Sequence, residues 1–383
     1  QILLWSSRRT AAALALAGHD AALAATEGRP VALAELRKRL APDELLLDFI
    51  VLDSNVAVVA VASDTARLVR LPITTGSLGS AINGLRRPLI TTFGGRIDLA
   101  RARFDLAAAA SLYDALLRPL AALTRGRRRL IVVPDGPLHA LAFDALVMAA
   151  PPHGGATPDY RAPTYVLDSL EIEYLPSPAF LRPEAERARL QRLGAQRLLA
   201  VGYGAPGSTA EIQAVRDIWP RERLTTLEGG AATERGVKAR MAQFGILHFA
   251  VHAAADARDP LVAHLRLSAD SLSDGYLHAN EIATTRISAD LVVLSACETN
   301  VGPIYSGEGV MGIARAFLAG GARSVVATQW PVGAETAELM REFYARLSHG
   351  ESPASALRGA KLRFRRSPEF AHPFHWAGFV LIR

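Results

Sequence analysis

From residue 196 onward, short apolar runs alternate with amphipathic stretches of helix length, and this alternation restricts the possible folds more than any other feature of the chain. The runs are Arg197 to Val201, Ile246 to Val251, Leu291 to Leu294 and Ser324 to Thr328. Each is dense in Val, Leu or Ile, without the polar alternation of a half-exposed strand, as expected of strands covered on both faces. Between and after them the spacing predicts helices over about 209 to 218, 232 to 243, 308 to 319 and 334 to 347. The fold class is therefore α/β, a parallel sheet flanked by helices. In such sheets ligands and chemistry gather beyond the carboxyl ends of the strands.

The upstream half reads differently. Residues 7 to 28 are Ala/Leu-rich with helical spacing, and Val31 to Leu40 continue as an amphipathic helix stopped before Pro42. Leu45 to Phe49 and Val56 to Val61 read as strands joined through Asp53, Ser54 and Asn55, a hairpin signal. A helix is expected over about 103 to 123, then a strand from Leu130 to Val133 that ends in the turn PDGP at 134 to 137. Residues 151 to 158 read as a loop.

Charge and cysteine usage narrow the function classes. The formal net charge is +6, and Lys occurs only at 38, 238 and 361, so arginine dominates the basic residues. The densest run, RGRRR at 125 to 129, and Arg363, Arg365 and Arg366 are scattered along the chain rather than gathered in one stripe. They read as solvated faces, and direct nucleic-acid binding is not expected. No stretch reaches the roughly 18 to 20 uninterrupted apolar residues of a membrane span, and the N-terminus lacks the pattern of a signal peptide. The expected setting is the cytoplasm, without membrane insertion. The chain opens on Gln1 rather than Met, and further chain is expected upstream. A single cysteine, Cys297, excludes an internal disulfide framework and leaves one thiol, either core filler or a working group.

Two of the apolar runs lead directly into reactive residues. Ile246 to Val251 runs into His252, and Leu291 to Leu294 leads through Ser295 and Ala296 to Cys297. If the two strands lie parallel in one sheet, both side chains emerge at one edge. A free thiol with a pKa near 8.5 is mostly protonated at neutral pH, so a nucleophilic Cys needs a neighbouring imidazole to take its proton. Backbone N–H groups of Ala253 and Cys297 are candidates for an oxyanion hole.

Other patterns compete. GYGAPG at 202 to 207 follows a strand and precedes a helix, with Glu228 further on, matching a dinucleotide fingerprint. Pro206 within the turn argues against that reading, and Ser208 with Glu211 reads as a capping box on an ordinary helix. No cofactor is expected. His248 and His252 have the spacing of a zinc pair on a helix, but four residues of strand span about 13 Å, so no metal is expected. No GxSxG elbow of a serine hydrolase occurs. His139 reads as structural, Asn280 and Glu281 as a helix start, and Glu308 first as a cap and dipole partner.

The motifs HFAVH at 248 to 252, DGYLHANEI at 274 to 282, ADLVVLSACET at 289 to 299, GEGVMGIARAFL at 307 to 318 and GARSVVATQWPV at 321 to 332 together resemble the CHAT family of caspase- and separase-related cysteine peptidases. The resemblance extends to VPDGPLHALAF at 133 to 143 and HPFHWAGFV at 372 to 380, covering about residues 36 to 383. It implies a caspase-like parallel sheet in an active half, residues 196–383, preceded by an inactive caspase-like half, 41–195, and a helical lead-in, 1–40, as a remnant of upstream helical repeats. It also implies a catalytic dyad of His252 and Cys297 acting on a partner protein. Activation would come from upstream repeats of the tetratricopeptide type or an activator protein, and some members serve bacterial antiphage defence or activate gasdermin-like proteins.

Two positions depart from the family pattern. The residue after the catalytic His is usually Gly, whereas Ala253 keeps the N–H and adds a Cβ. The stretch after Trp330, Pro331 and Val332 commonly carries an Asp near the substrate pocket, whereas here it reads Gly333, Ala334, Glu335. Glu298, Glu308 and Glu335, with Trp330, are therefore the pocket candidates. A degenerate domain serving as a regulated protein-interaction module is the alternative.

Overall fold

The computed structural model describes residues 31–93, 96–99, 102–149, 158–187, 193–205, 207–254, 263–295, 308–333 and 335–383. They divide into two compact units, one running to Ala188 together with Arg383, the other spanning Arg189–Ile382.

In the first unit, α1 (Leu33–Arg39) is followed by strands β1 (Glu44–Val51), β2 (Val56–Val61) and β3 (Ala66–Arg70), helices α2 (Thr75–Ile90) and α3 (Leu106–Leu116), then β4 (Arg129–Val133) and β5 (Glu171–Tyr174). The strand order is β5-β4-β1-β2-β3, parallel from β5 to β1 and antiparallel through the β1–β2–β3 meander. Leu36 of α1 and Leu40, the residue that caps it, join Leu46, Ile50, Val59, Val61, Ile131 and Val133 in one buried cluster. The stretch Leu106–Thr124 has the length and apolarity to cross a membrane. It carries Asp114 and Arg118, paired at 2.6 Å, and buries Ala109, Leu112, Leu116 and Leu120, the one-sided burial of a helix laid on a core.

Within the arginine run at 125 to 129, Arg125 and Arg128 are exposed, as on a solvated face, while Arg127 and Arg129 are engaged. Arg127 pairs with Asp64 at 2.7 Å, and Arg129 pairs with the buried Glu44 at 3.1 Å. Arg187 closes on both carboxylate oxygens of Glu44, a two-pronged contact within the fold.

The second unit contains the expected alternation. Its elements are β6 (Leu198–Tyr203), α4 (Ser208–Ile218), β7 (Leu224–Glu228), α5 (Glu234–Met241), β8 (Ile246–Val251), α6 (Ala279–Thr284), β9 (Leu291–Leu294), α7 (Glu308–Ala319), β10 (Val325–Thr328), α8 (Thr336–Ser348), α9 (Pro353–Arg366) and β11 (Phe379–Ile382). Strand order is β7-β6-β8-β9-β10-β11, parallel from β7 to β10, with β11 antiparallel at β10. Every residue of β8, β9 and β10 is buried, the consequence of helices on both faces. On α8 the buried residues Leu339, Met340, Phe343, Tyr344 and Leu347 recur at helical spacing and form its inward stripe. Phe249 of β8 meets Phe317 of α7 with ring centroids 5.5 Å apart, a contact between two fully buried rings.

Candidate active site

β8 and β9 are adjacent and parallel, and their register pairs Ile246 with Leu291 and Phe249 with Leu294. Each chain then continues past its strand toward a reactive residue. His252 is half-buried just beyond Val251. On its other flank β8 pairs with β6, with Tyr203 opposite Val251, so the residues that follow, Gly204 and His252, leave the sheet side by side.

His252 Nε2 lies 3.0 Å from the carbonyl oxygen of Gly204. A carbonyl can only accept, so Nε2 carries the proton in this contact, and in the neutral ring the lone pair resides on Nδ1. The imidazole is thereby fixed in one tautomer, with Nδ1 as the atom able to take a proton. Gly204 adopts φ +69°, a left-handed conformation that an L side chain resists, and this turn presents its carbonyl to His252.

The glycine-rich turn at 202 to 207 thus has a structural role at the histidine. Gly207 at φ +81° is the N-cap of α4 and offers no side-chain cap. The capping box expected from Ser208 and Glu211 does not form: Ser208 is already inside the helix, and the Glu211 carboxylate turns inward, where it accepts from Ser295 Oγ at 2.9 Å. Glu228, the acid of the dinucleotide reading, closes on Arg216, which also reaches Thr226 at 2.8 Å.

After His252 the chain enters a small three-stranded antiparallel sheet of Ala253–Ala254, His264–Arg266 and Tyr276–His278. Arg266 N–H donates to the His252 carbonyl at 2.8 Å, which makes Ala253 and Leu265 a non-hydrogen-bonded pair of the ladder. The N–H of Ala253 consequently turns away from its partner strand, toward the open edge of this sheet. Glu281 caps α6 by accepting from His278 N–H at 3.0 Å and binds Lys238 at 2.7 Å.

Cys297 and Glu298 lie outside the described residues, as does the side chain of Glu308 at the start of α7. Trp330 is 3% exposed, and its indole N–H donates to the Phe374 carbonyl at 3.0 Å. Glu335 pairs with His375 Nδ1 at 2.6 Å. Burial alone would raise the Glu335 carboxyl, but the hydrogen bond and charge of His375 outweigh it and hold the group below its ordinary range. His248 is fully buried and bonded to Tyr344 at 3.0 Å, away from His252 and with no metal-like cluster among the described residues.

The CHAT domain family model matches residues 106–383, most of the chain. The chain belongs to the CHAT domain family. The matched span starts later than the stretch over which the motifs resemble that family. Tetratricopeptide repeat protein 28 of Mus musculus is 36% identical over 107 residues, which is 28% of this CHAT chain and 4% of that protein. The Homo sapiens protein of the same name is 33% identical over 112 residues, 29% of this chain and 4% of its own length. The CHAT chain therefore corresponds to only a small part of these relatives. Its fold is like that of a chain in the Saccharomyces cerevisiae separase–securin complex, with a TM-score of 0.52 and 10% identity over 91% of this chain and 30% of the other. The caspase-like class expected from the sequence is the observed one: a mostly parallel sheet flanked by helices.

Proposed function

We propose that this CHAT domain is a cysteine endopeptidase that cleaves a partner protein through Cys297 and His252. The observation that carries the reading is the register of β8 and β9: Phe249 stands opposite Leu294, and His252 and Cys297 each follow their partner by the same three residues. The tautomer set by Gly204 supports the same chemistry, because it leaves Nδ1 of His252 to receive the thiol proton.

In this reading the Cys297 thiolate attacks the scissile carbonyl carbon, and the carbonyl electron pair moves onto oxygen. The N–H groups of Ala253 and Cys297 stabilise that oxyanion. The intermediate collapses to a thioester, the C–N bond breaks, and His252 gives its proton to the departing amine. Water, deprotonated by His252, then hydrolyses the thioester and frees the thiol. No cofactor or metal enters. Glu298, Glu308, Glu335 and Trp330 are the pocket candidates, of which Glu335 already holds His375.

The setting proposed is the cytoplasm of a bacterium, in defence or regulated cell death, with a gasdermin-like protein as one substrate class. Upstream tetratricopeptide-type repeats, after which the matched relatives are named, or an activator protein would switch the domain on. Ala253 in place of the usual Gly favours a second reading, an interaction module without turnover.

The test is cleavage of a diverse peptide library, read by mass spectrometry, with the wild-type chain and Cys297→Ala in parallel, each with and without the upstream region. Cleavage abolished by Cys297→Ala is the expected result; equal cleavage by both chains, or none in either form, refutes the endopeptidase reading.

A further inference from the structure

Between β8 and the segment that follows β9 runs a chain of buried polar side chains that the mechanism above does not use. Ser295 Oγ donates to Glu211 Oε2 at 2.9 Å, Glu211 Oε1 lies 3.3 Å from His248 Nε2, and His248 Nδ1 meets the Tyr344 hydroxyl at 3.0 Å. Their exposures are 5% for Ser295, 4% for Glu211 and 0% for His248, and Tyr344 is also at 0%. Ser295 directly follows β9, and the other three come from α4, β8 and α8.

Proton counting assigns the donors. Burial, with the Glu211 charge beside it, keeps the Tyr344 hydroxyl well above its ordinary range, so Tyr344 holds its proton. Tyr344 then donates to His248 Nδ1, and Ser295 donates to Glu211 Oε2, while His248 Nε2 stands beside the other Glu211 oxygen. Two of the three contacts are hydrogen bonds, Tyr344 to His248 and Ser295 to Glu211, and the third is a 3.3 Å approach of His248 Nε2 to Glu211 Oε1. Burying a carboxylate is costly unless its oxygens are met, so a site with only a packing role would carry an apolar residue instead of Glu211.

The chain's placement indicates what it does. Strand alternation puts His248 and Ala250 on one face of β8, which ends one residue before His252, and Ser295 precedes Cys297 by two residues. One carboxylate therefore ties the His252 strand to the backbone that leads into the thiol. We propose that Glu211, held by His248 and Tyr344, is a positioning residue: it anchors Ser295 and so sets the Cys297 segment against His252. This rests on the proposed dyad.

Cys297 is the only cysteine, so mass gain with iodoacetamide reports that thiol alone. The experiment is the pH–rate profile of alkylation for the wild type, His252→Ala, Glu211→Gln, Ser295→Ala, Ser295→Thr and Tyr344→Phe, each with a thermal melt. In the wild type a paired thiol gives a midpoint below the free value near 8.5. Glu211→Gln, Ser295→Ala and Tyr344→Phe are expected to move the midpoint up and slow labelling at neutral pH about tenfold, the effect of a small misplacement. Ser295→Thr, which keeps the hydroxyl, should restore the wild-type profile. Ser295→Ala deletes a single oxygen and keeps the test decisive if Glu211→Gln fails to fold. Wild-type profiles in folded Ser295→Ala and Tyr344→Phe, or the same shift in Ser295→Thr as in Ser295→Ala, overturn the inference and leave the dyad standing. A wild type indifferent to His252→Ala overturns the dyad itself.

Discussion

Gly204 holds His252: the carbonyl at the end of one parallel strand accepts the ring N–H of the residue at the end of the next, at 3.0 Å. The contact follows from register, because Tyr203 and Val251 are paired and the next residue on each side leaves the sheet in step.

Gly204→Ala tests that contact. An L side chain at φ +69° costs roughly 1–2 kcal/mol, and relief of the strain would swing the carbonyl away from the imidazole. The expected outcome is a melting temperature lowered by a few degrees and about tenfold slower turnover or thiol labelling. A folded, strained variant with unchanged reactivity would separate the turn from the chemistry.

Ala253 provides a test of the proposed oxyanion donor that spares the ladder. Its N–H points away from Leu265, so Ala253→Pro deletes the donor without removing a cross-strand bond, on an edge strand where proline is tolerated. Peptidase kcat should fall about 10²- to 10³-fold, as on loss of one oxyanion donor, while Ala253→Gly keeps or raises it. Steady-state kinetics on a peptide found in the library screen measures both.

The Glu335–His375 pair sets an acid limit. Because the folded Glu335 carboxyl is held below its ordinary value, its contribution is fully present above the unfolded carboxylate range near pH 4.3 and is lost as pH falls through the folded value. Thermal melts should therefore show wild type above Glu335→Gln at pH 5, with the gap narrowing as pH approaches 3. A gap that widens on acidification contradicts this sign.

Glu44→Gln is expected to destabilise the first unit. Glu44 is 1% exposed and meets Arg187 and Arg129, whose hydrogen bonds and charges outweigh the burial that would raise its carboxyl. Removing one member of a buried pair costs on the order of 3–5 kcal/mol by leaving the partner charge uncompensated. Urea denaturation should show the midpoint falling accordingly.

Legibility in the sequence followed how local each signal was. The strands at 246 to 251 and 291 to 294 were readable to the residue because a continuous apolar run requires burial on both faces wherever it sits. β7, with its half-buried LTTLE, and β3, largely exposed, lack such a run and went unread as edge strands. α9, whose last turn carries Arg363, Arg365 and Arg366, was read only as scattered charge, although Ser352 caps it and a buried stripe from Ala354 to Phe364 lines it. Nothing in the sequence marked Tyr344 as more than a member of the α8 stripe.

Ser208 and Glu211 show most plainly where reading the chain alone stops. Their spacing matches a capping box, which is a local pattern, but the carboxylate goes to Ser295, 84 residues away. The sequence by itself determined the α/β class, the parallel strands and the two residues that follow them, since periodicity and apolar runs act over a few neighbours. Tertiary structure alone decided that Gly204 holds His252 and that Glu211 reaches Ser295. Those partners depend on which strands become adjacent, and strand order is settled by packing of the whole sheet, not by any segment of it.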